Sequence, residues 1–155
     1  MLAAGEHTKP VEQDIVFYMG WLGHYVGDGS NPLHITEKYN GWVGPNPHHY
    51  TTEHKIHALM EDRFVSENLA QLSFASLMQE PTRLKNPWRD YQNYLHDSYR
   101  LVERCYQLEQ AGGFNQAGTQ ESREFIRQRL AAGSQMLVDL WYTAWLASEK
   151  EPEPE

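Results

Sequence analysis

Val11-Glu12-Gln13-Asp14-Ile15-Val16-Phe17-Tyr18-Met19-Gly20-Trp21-Leu22-Gly23-His24-Tyr25-Val26-Gly27-Asp28 is the stretch that decides the fold class. Ile15, Tyr18, Met19, Leu22, Tyr25 and Val26 recur at steps of three and four, the spacing of one face of an α-helix. Gly20, Gly23 and Gly27 interrupt that face, each at about 1 kcal/mol relative to Ala. Glycines tolerated inside a helix are expected where another backbone comes close. Gly29-Ser30-Asn31-Pro32 then ends the helix.

Reading outward, residues 33–50 carry Asn40-Gly41, Gly44-Pro45 and Asn46-Pro47, all turn signals, so a long irregular loop is expected. A loop of that length suggests function. Thr51 or Thr52 is a candidate cap for a second helix reaching about Asn68, with Glu53 in its first turn. A short helix is expected over Leu69–Gln79, stopped by Pro81. Asn86-Pro87 is a cap followed by a first-turn proline. It opens a long helix whose apolar face holds Trp88, Tyr91, Leu95, Val102, Cys105 and Leu108, and Gly112-Gly113 ends it. Thr119 caps a last helix with a buried stripe from Phe125 and Ile126 to Ala144 and Trp145. No segment alternates like a strand. The class is therefore all-α: a helical bundle with a long loop between its first two helices, one domain over residues 1–150 and a disordered acidic tail at 151–155.

The charge balance narrows the functions open to such a bundle. Thirteen Lys and Arg against 21 Asp and Glu give a net charge of −8, against a duplex-DNA binder held by phosphate contacts. It leaves phosphate-ester chemistry open, since bound metal ions supply positive charge inside a cleft. One cysteine, Cys105, excludes an internal disulfide and a cysteine-rich metal site. No run of eighteen apolar residues is long enough for a transmembrane helix. Met1–Glu6 has neither a basic start nor a hydrophobic run, so no signal peptide is expected there.

Six of the eight histidines fall between His24 and His57. His24 and Asp28 are four apart, roughly 400° of helix, which puts both side chains on one face. His57 and Glu61 repeat the spacing on the second helix, and His34 follows the first helix by a few residues. Together they form a nitrogen and oxygen ligand set suited to zinc. Either pair alone is more often a solvated surface pair or a satisfied His; taken together, the spacing leaves both readings open.

The run from Gly23 to His34, Gly-His-Tyr-Val-Gly-Asp-Gly-Ser-Asn-Pro-Leu-His, resembles the His-Tyr-x-x-Asp-x-x-x-Pro-(Leu/Met)-His signature of zinc-dependent phospholipases C and single-strand-specific nucleases. His57-Ala58-Leu59-Met60-Glu61 resembles that family's His-x-x-x-(Asp/Glu) pair. The resemblance implies metal-dependent phosphodiester hydrolysis, of a phospholipid or a single-stranded nucleic acid, with up to three zinc ions in a cleft between helices. By position, His34, His57 and Glu61 would together hold one ion. His24 and Asp28 would serve the other two, with Asp28 bridging them. Asp28 and Glu61 are the candidate catalytic residues on this reading. Relatives of that type are often secreted or periplasmic.

The resemblance begins near Val11 and corresponds to the C-terminal portion of such enzymes. Their remaining ligands lie upstream, and only 23 residues precede His24, with Met1 where those enzymes carry an N-terminal Trp. One complete zinc position is therefore expected in this chain, which then reads as a fragment, a subunit of a split enzyme or a processed product. Its partners would be a complementary N-terminal chain or further copies of itself. The alternative is a non-catalytic metal-binding or self-assembling module. His48, His49 and His54 are expected to be solvated loop residues, with substitute ligation as the other reading; His7 and His96 are expected at the surface. Trp42, Tyr39 and Tyr50 are read either as cleft walls that stack on a substrate or as packing over the loop.

Overall fold

The computed structural model describes residues 9–68, 70 and 72–148. Among them there are helices and loops but no strand, so the fold is all-α. Helix α1 spans Lys9–Ser30, and a 3₁₀ turn follows at Pro32–Ile35. Helix α2 runs over 56–68, α-helical at Ile56–Ala58, π-helical at Leu59–Phe64 and α-helical again at Val65–Asn68. A 3₁₀ turn occupies Ala75–Leu77. Helices α3 (Pro87–Tyr99), α4 (Val102–Gln110) and α5 (Gln120–Ser148) complete the order. The expected acidic tail at 151–155 lies outside the described residues, as does His7.

Local chemistry explains the caps. Asn86 Oδ1 accepts from the Arg89 N–H at 3.0 Å, with Pro87 at the first helical position. Thr119 Oγ1 accepts from the Ser122 N–H at 3.1 Å. Three expected boundaries differ. Helix α2 starts at Ile56, because Thr51 closes a turn instead of capping: its Oγ1 accepts from Glu53 N at 3.2 Å, and its carbonyl accepts from Trp42 N at 2.8 Å. Leu69 and Gln71 lie outside the described residues; from residue 72 the helix expected over Leu69–Gln79 is replaced by irregular chain with a 3₁₀ turn at Ala75–Leu77. Side chains of α5 claim the backbone just beyond it: Gln135 takes Gln79 N, Asp139 takes Thr82 N and Thr143 takes Leu84 N, at 2.7 to 2.9 Å. The segment becomes a strap along α5. The long third helix breaks at Arg100 and Leu101, where Leu101 N turns to Ser98 O at 3.0 Å. The break turns Val102, Cys105, Tyr106 and Leu108 fully inward and leaves Trp88 at the surface. Periodicity alone cannot show such a change of direction.

The core lies beneath the loop and α2. Leu33, Tyr50, Ile56, Met60, Phe64, Val102, Tyr106, Leu108, Phe114, Phe125 and Ile126 form one contiguous cluster. Only the first half of the stripe expected on α5 is well buried; Trp145 is exposed. Helix α1 packs along α5 and crosses α3. The close approach of another backbone expected at Gly20, Gly23 and Gly27 is not found among the described residues: an added Cβ at Gly23 would meet only the Leu137 side chain at 3.5 Å, and the tight fit is at Gly29, where it would sit 2.7 Å from Leu95 Cδ2. At Gly20 and Gly27 it would meet nothing within 4 Å. Tyr94 and Tyr91 donate to the carbonyls of Val26 and Tyr25, which pins the last turns of α1. Upstream of those turns α1 is bare: Val16, Phe17, Tyr18, Trp21 and Tyr25 are each more than half exposed. No helix among the described residues is long and apolar enough to cross a membrane.

Candidate metal centre

The site forms where the end of α1, the 3₁₀ turn and the start of α2 meet. Buried Leu33 anchors the 3₁₀ turn in the core, which turns His34 toward α2. Asn31 caps that turn by accepting from Leu33 N at 3.0 Å, and its Nδ2 donates to Glu61 Oε2 at 3.0 Å. On α2, Ile56 and Met60 face the core, so His57 and Glu61 face the turn. The π-helical turn begins between them; such turns are frequent at functional sites.

His34 Nε2 and His57 Nε2 each lie 2.9 Å from Glu61 Oε2. The ligand atoms of these three residues fall within 4.8 Å of one another. Two atoms at about 2.0–2.1 Å from a tetrahedral zinc ion are roughly 3.3 Å apart, so small side-chain shifts would seat an ion among the three. Three protein ligands leave a fourth position open, the pattern of a catalytic site. The His57 ring is already oriented for that role: Nδ1 lies 3.2 Å from the Tyr39 carbonyl. A proton on Nδ1 donated to that carbonyl leaves Nε2 free for a metal. The His57 backbone N–H is also held, by Asn40 Oδ1 at 3.3 Å.

Asp28 and His24 sit beside this group rather than in it. Asp28 Oδ1 is 3.8 Å from His34 Nδ1, beyond hydrogen-bond reach, and Asp28 Oδ2 is 3.3 Å from His24 Nε2. The exposure gradient is informative. The His24 side chain is 68 % exposed, against 26 % for His34 and 28 % for His57, whereas Asp28, at 33 %, is less exposed than Glu61 at 45 %, so on α1 it is His24 that forms an open rim. Tyr91 stands behind it; burial pushes its phenol pKa up, and the charge of Asp28 adds to that.

The remaining candidates separate cleanly. His48, His49, His54 and His96 are exposed and outside the ligand group, His48 lying 3.8 Å from Glu103. Trp42 and Tyr50 are packing residues. Their rings lie 4.8 Å apart, Trp42 stands edge-on to Tyr106, and the Tyr50 hydroxyl donates to Glu103 at 2.9 Å. Tyr39 differs: it is 55 % exposed and meets the His57 ring edge-on at 6.3 Å. Sequence reasoning missed Asn31 as a partner of Glu61. Its Asn-Pro cap signature marked the turn but not the contact across 30 residues.

No protein-family model, curated protein or solved structure matches the chain. The functional reading therefore rests on the sequence signature and the geometry above.

Proposed function

We propose that this chain carries the metal centre of a zinc-dependent phosphodiester hydrolase, of phospholipase C or nuclease type. The observation that supports it is the convergence of His34 Nε2, His57 Nε2 and Glu61 Oε2, with Glu61 held by Asn31 and His57 by the Tyr39 carbonyl. His34, His57 and Glu61 hold one ion; His24 and Asp28 supply part of the ligand set for others. Bound zinc supplies Lewis-acid polarisation of a phosphodiester and a nucleophile available near neutral pH. The chain's own residues do the positioning. Asn31 fixes the Glu61 carboxylate, the Tyr39 carbonyl fixes the His57 tautomer, and Asp28 borders the open side where a substrate oxygen approaches. The exposed Tyr39 ring offers a face for a leaving group.

The test is metal content. Purified protein is expected to hold zinc at one or more equivalents by elemental analysis, and His57→Ala to lose it together with thermal stability, since binding and folding are linked. Unchanged zinc content in His57→Ala would overturn the assignment.

A second reading, a self-assembling module, is favoured by the bare surface of α1. Ile15–Leu22 is apolar on every side of the helix, and residues 15–27 contain no Asp, Glu, Lys or Arg. A helix of that kind is normally buried. Its exposed residues present on the order of 800 Å², about what one partner contributes to a standard interface. The partner proposed is a second copy of this chain. Sedimentation is expected to give a dimer; a monomer that dimerises with nothing but binds a complementary N-terminal chain would replace this reading with a split enzyme.

A further inference from the structure

A cleft of about 360 Å³ opens between α1, α2 and α5 beside the metal ligands. Gly27, Val65, Leu130 and Leu137 give it apolar walls, and Asp28, His34 and Glu61 border it. The space beside Gly27 is empty: a Cβ there would meet nothing within 4 Å. One cation lines the cleft, Arg129 of α5. Its Nε is buried without a hydrogen-bond partner, and the guanidinium makes no ion pair among the described residues. The carboxylate of Asp97, whose charge it feels, is held by Arg100 at 2.9 Å.

A guanidinium stays protonated in proteins and carries five donors in a rigid fork. Arg129 is partly buried, and enclosing its Nε without a partner costs free energy. A charge kept that way next to an apolar cavity suits a ligand that brings the missing anion and an apolar substituent. Asp28 and Glu61 do not fill that role, because both are turned to imidazoles and, on the proposed reading, to a cation. We infer that Arg129 and this cleft bind a singly charged oxyanion with an apolar substituent, the guanidinium holding the anion and the α1–α5 walls the substituent. The inference rests on the zinc reading only in that zinc offsets the two carboxylates.

The probes are hexanesulfonate and hexanol, titrated into zinc-supplemented protein whose metal content is measured in parallel. A sulfonate is a poor zinc ligand, so its advantage over the alcohol reports Arg129. Wild type is expected to prefer hexanesulfonate by about tenfold or more, the worth of a charge-assisted hydrogen bond. Affinity is expected to rise about fourfold per methylene from butane- to hexanesulfonate. Arg129→Met, which keeps the length of the stem, is expected to bring the two probes within about twofold. Arg129→Lys, which keeps the charge in the fold, is expected to retain part of the preference. Equal affinity for both probes in wild type overturns the inference, and so does a preference that survives in Arg129→Met. If Arg129→Met does not fold, the wild-type comparison and Arg129→Lys still decide. Absence of zinc overturns the metal reading instead; a sulfonate preference persisting without zinc leaves the Arg129 site standing.

Discussion

Two phenylalanines show how differently two parts of this molecule are used. Phe64, on α2, is fully buried and packs edge-on against Phe114 at 5.4 Å. Phe17, on α1, is 62 % exposed, and its ring contacts among the described residues are with Tyr18 and Trp21 of its own helix. The apolar content of the two helices is similar, and their burial is opposite. The α2 region spends its aromatics on a core that holds a site in place. The first half of α1 leaves its aromatics facing outward. Apolar content therefore says how much surface must be covered, but not whether this chain alone covers it.

The largest effect that would break this contrast is expected at the core. Phe64→Ala should destabilise the fold by about 3–5 kcal/mol in denaturant titration, the range for a fully buried ring. A loss as small as a surface substitution would show that α2 is not the centre of the structure.

The same measurement on Phe17→Ala is expected to change monomer stability by about 0.5 kcal/mol or less. Its effect should appear in sedimentation, as loss of self-association, and Trp21→Ser should act alike. A stability loss like that of Phe64→Ala would mean that α1 is buried in the monomer and that the contrast is false.

Asn31→Ala is smaller than Phe64→Ala in stability and sharper in meaning. Loss of the cap should lower stability by about 1 kcal/mol. Loss of the hydrogen bond to Glu61 should weaken zinc affinity by about 10–100-fold, as for other groups that orient a ligand. A drop in stability with affinity unchanged would make Asn31 a cap alone.

The last expected effect is alkaline. Burial pushes the Cys105 thiol up to about 12 and raises the Tyr94 phenol as well. Both groups are held protonated in the fold, so the stability they contribute is complete below the ordinary thiol and phenol values. It is lost as pH rises from about 9 toward 12. Denaturant midpoints at pH 8 and pH 11 measure it; a flat profile would mean that the α3–α4 interior is open to water.

Much of this architecture was readable from residue spacing. Asn86-Pro87 and Thr119 announced their helices because a cap is a local hydrogen bond, complete within three residues. The all-α class followed from periodicity in the same way. What spacing could not carry was anything settled by distant partners. The strap near Thr82 exists because Asp139 takes its backbone N–H, across 57 residues. The break after Tyr99 depends on which side of α4 the core accepts. In the site, the four-residue spacing put His57 and Glu61 on one face, and that face is the one turned toward His34. The same spacing did not distinguish them from His24 and Asp28, which reach the rim rather than the ligand group. The difference comes from direction: Asp28 lies 3.3 Å from His24 and 3.8 Å from His34, whereas Glu61 meets both His34 and His57 at 2.9 Å.

The hydroxyl of Tyr106 ties the loop down twice, accepting from Gly41 N at 3.0 Å and donating to the Lys38 carbonyl at 2.6 Å. Between those two anchors lies Tyr39, whose carbonyl aims His57. During synthesis the three ligand residues leave the ribosome well before Tyr106 does. Until α4 has emerged and docked, the segment that carries Tyr39 lacks its latch, so on the proposed reading cation capture would be a late event in the life of a nascent chain.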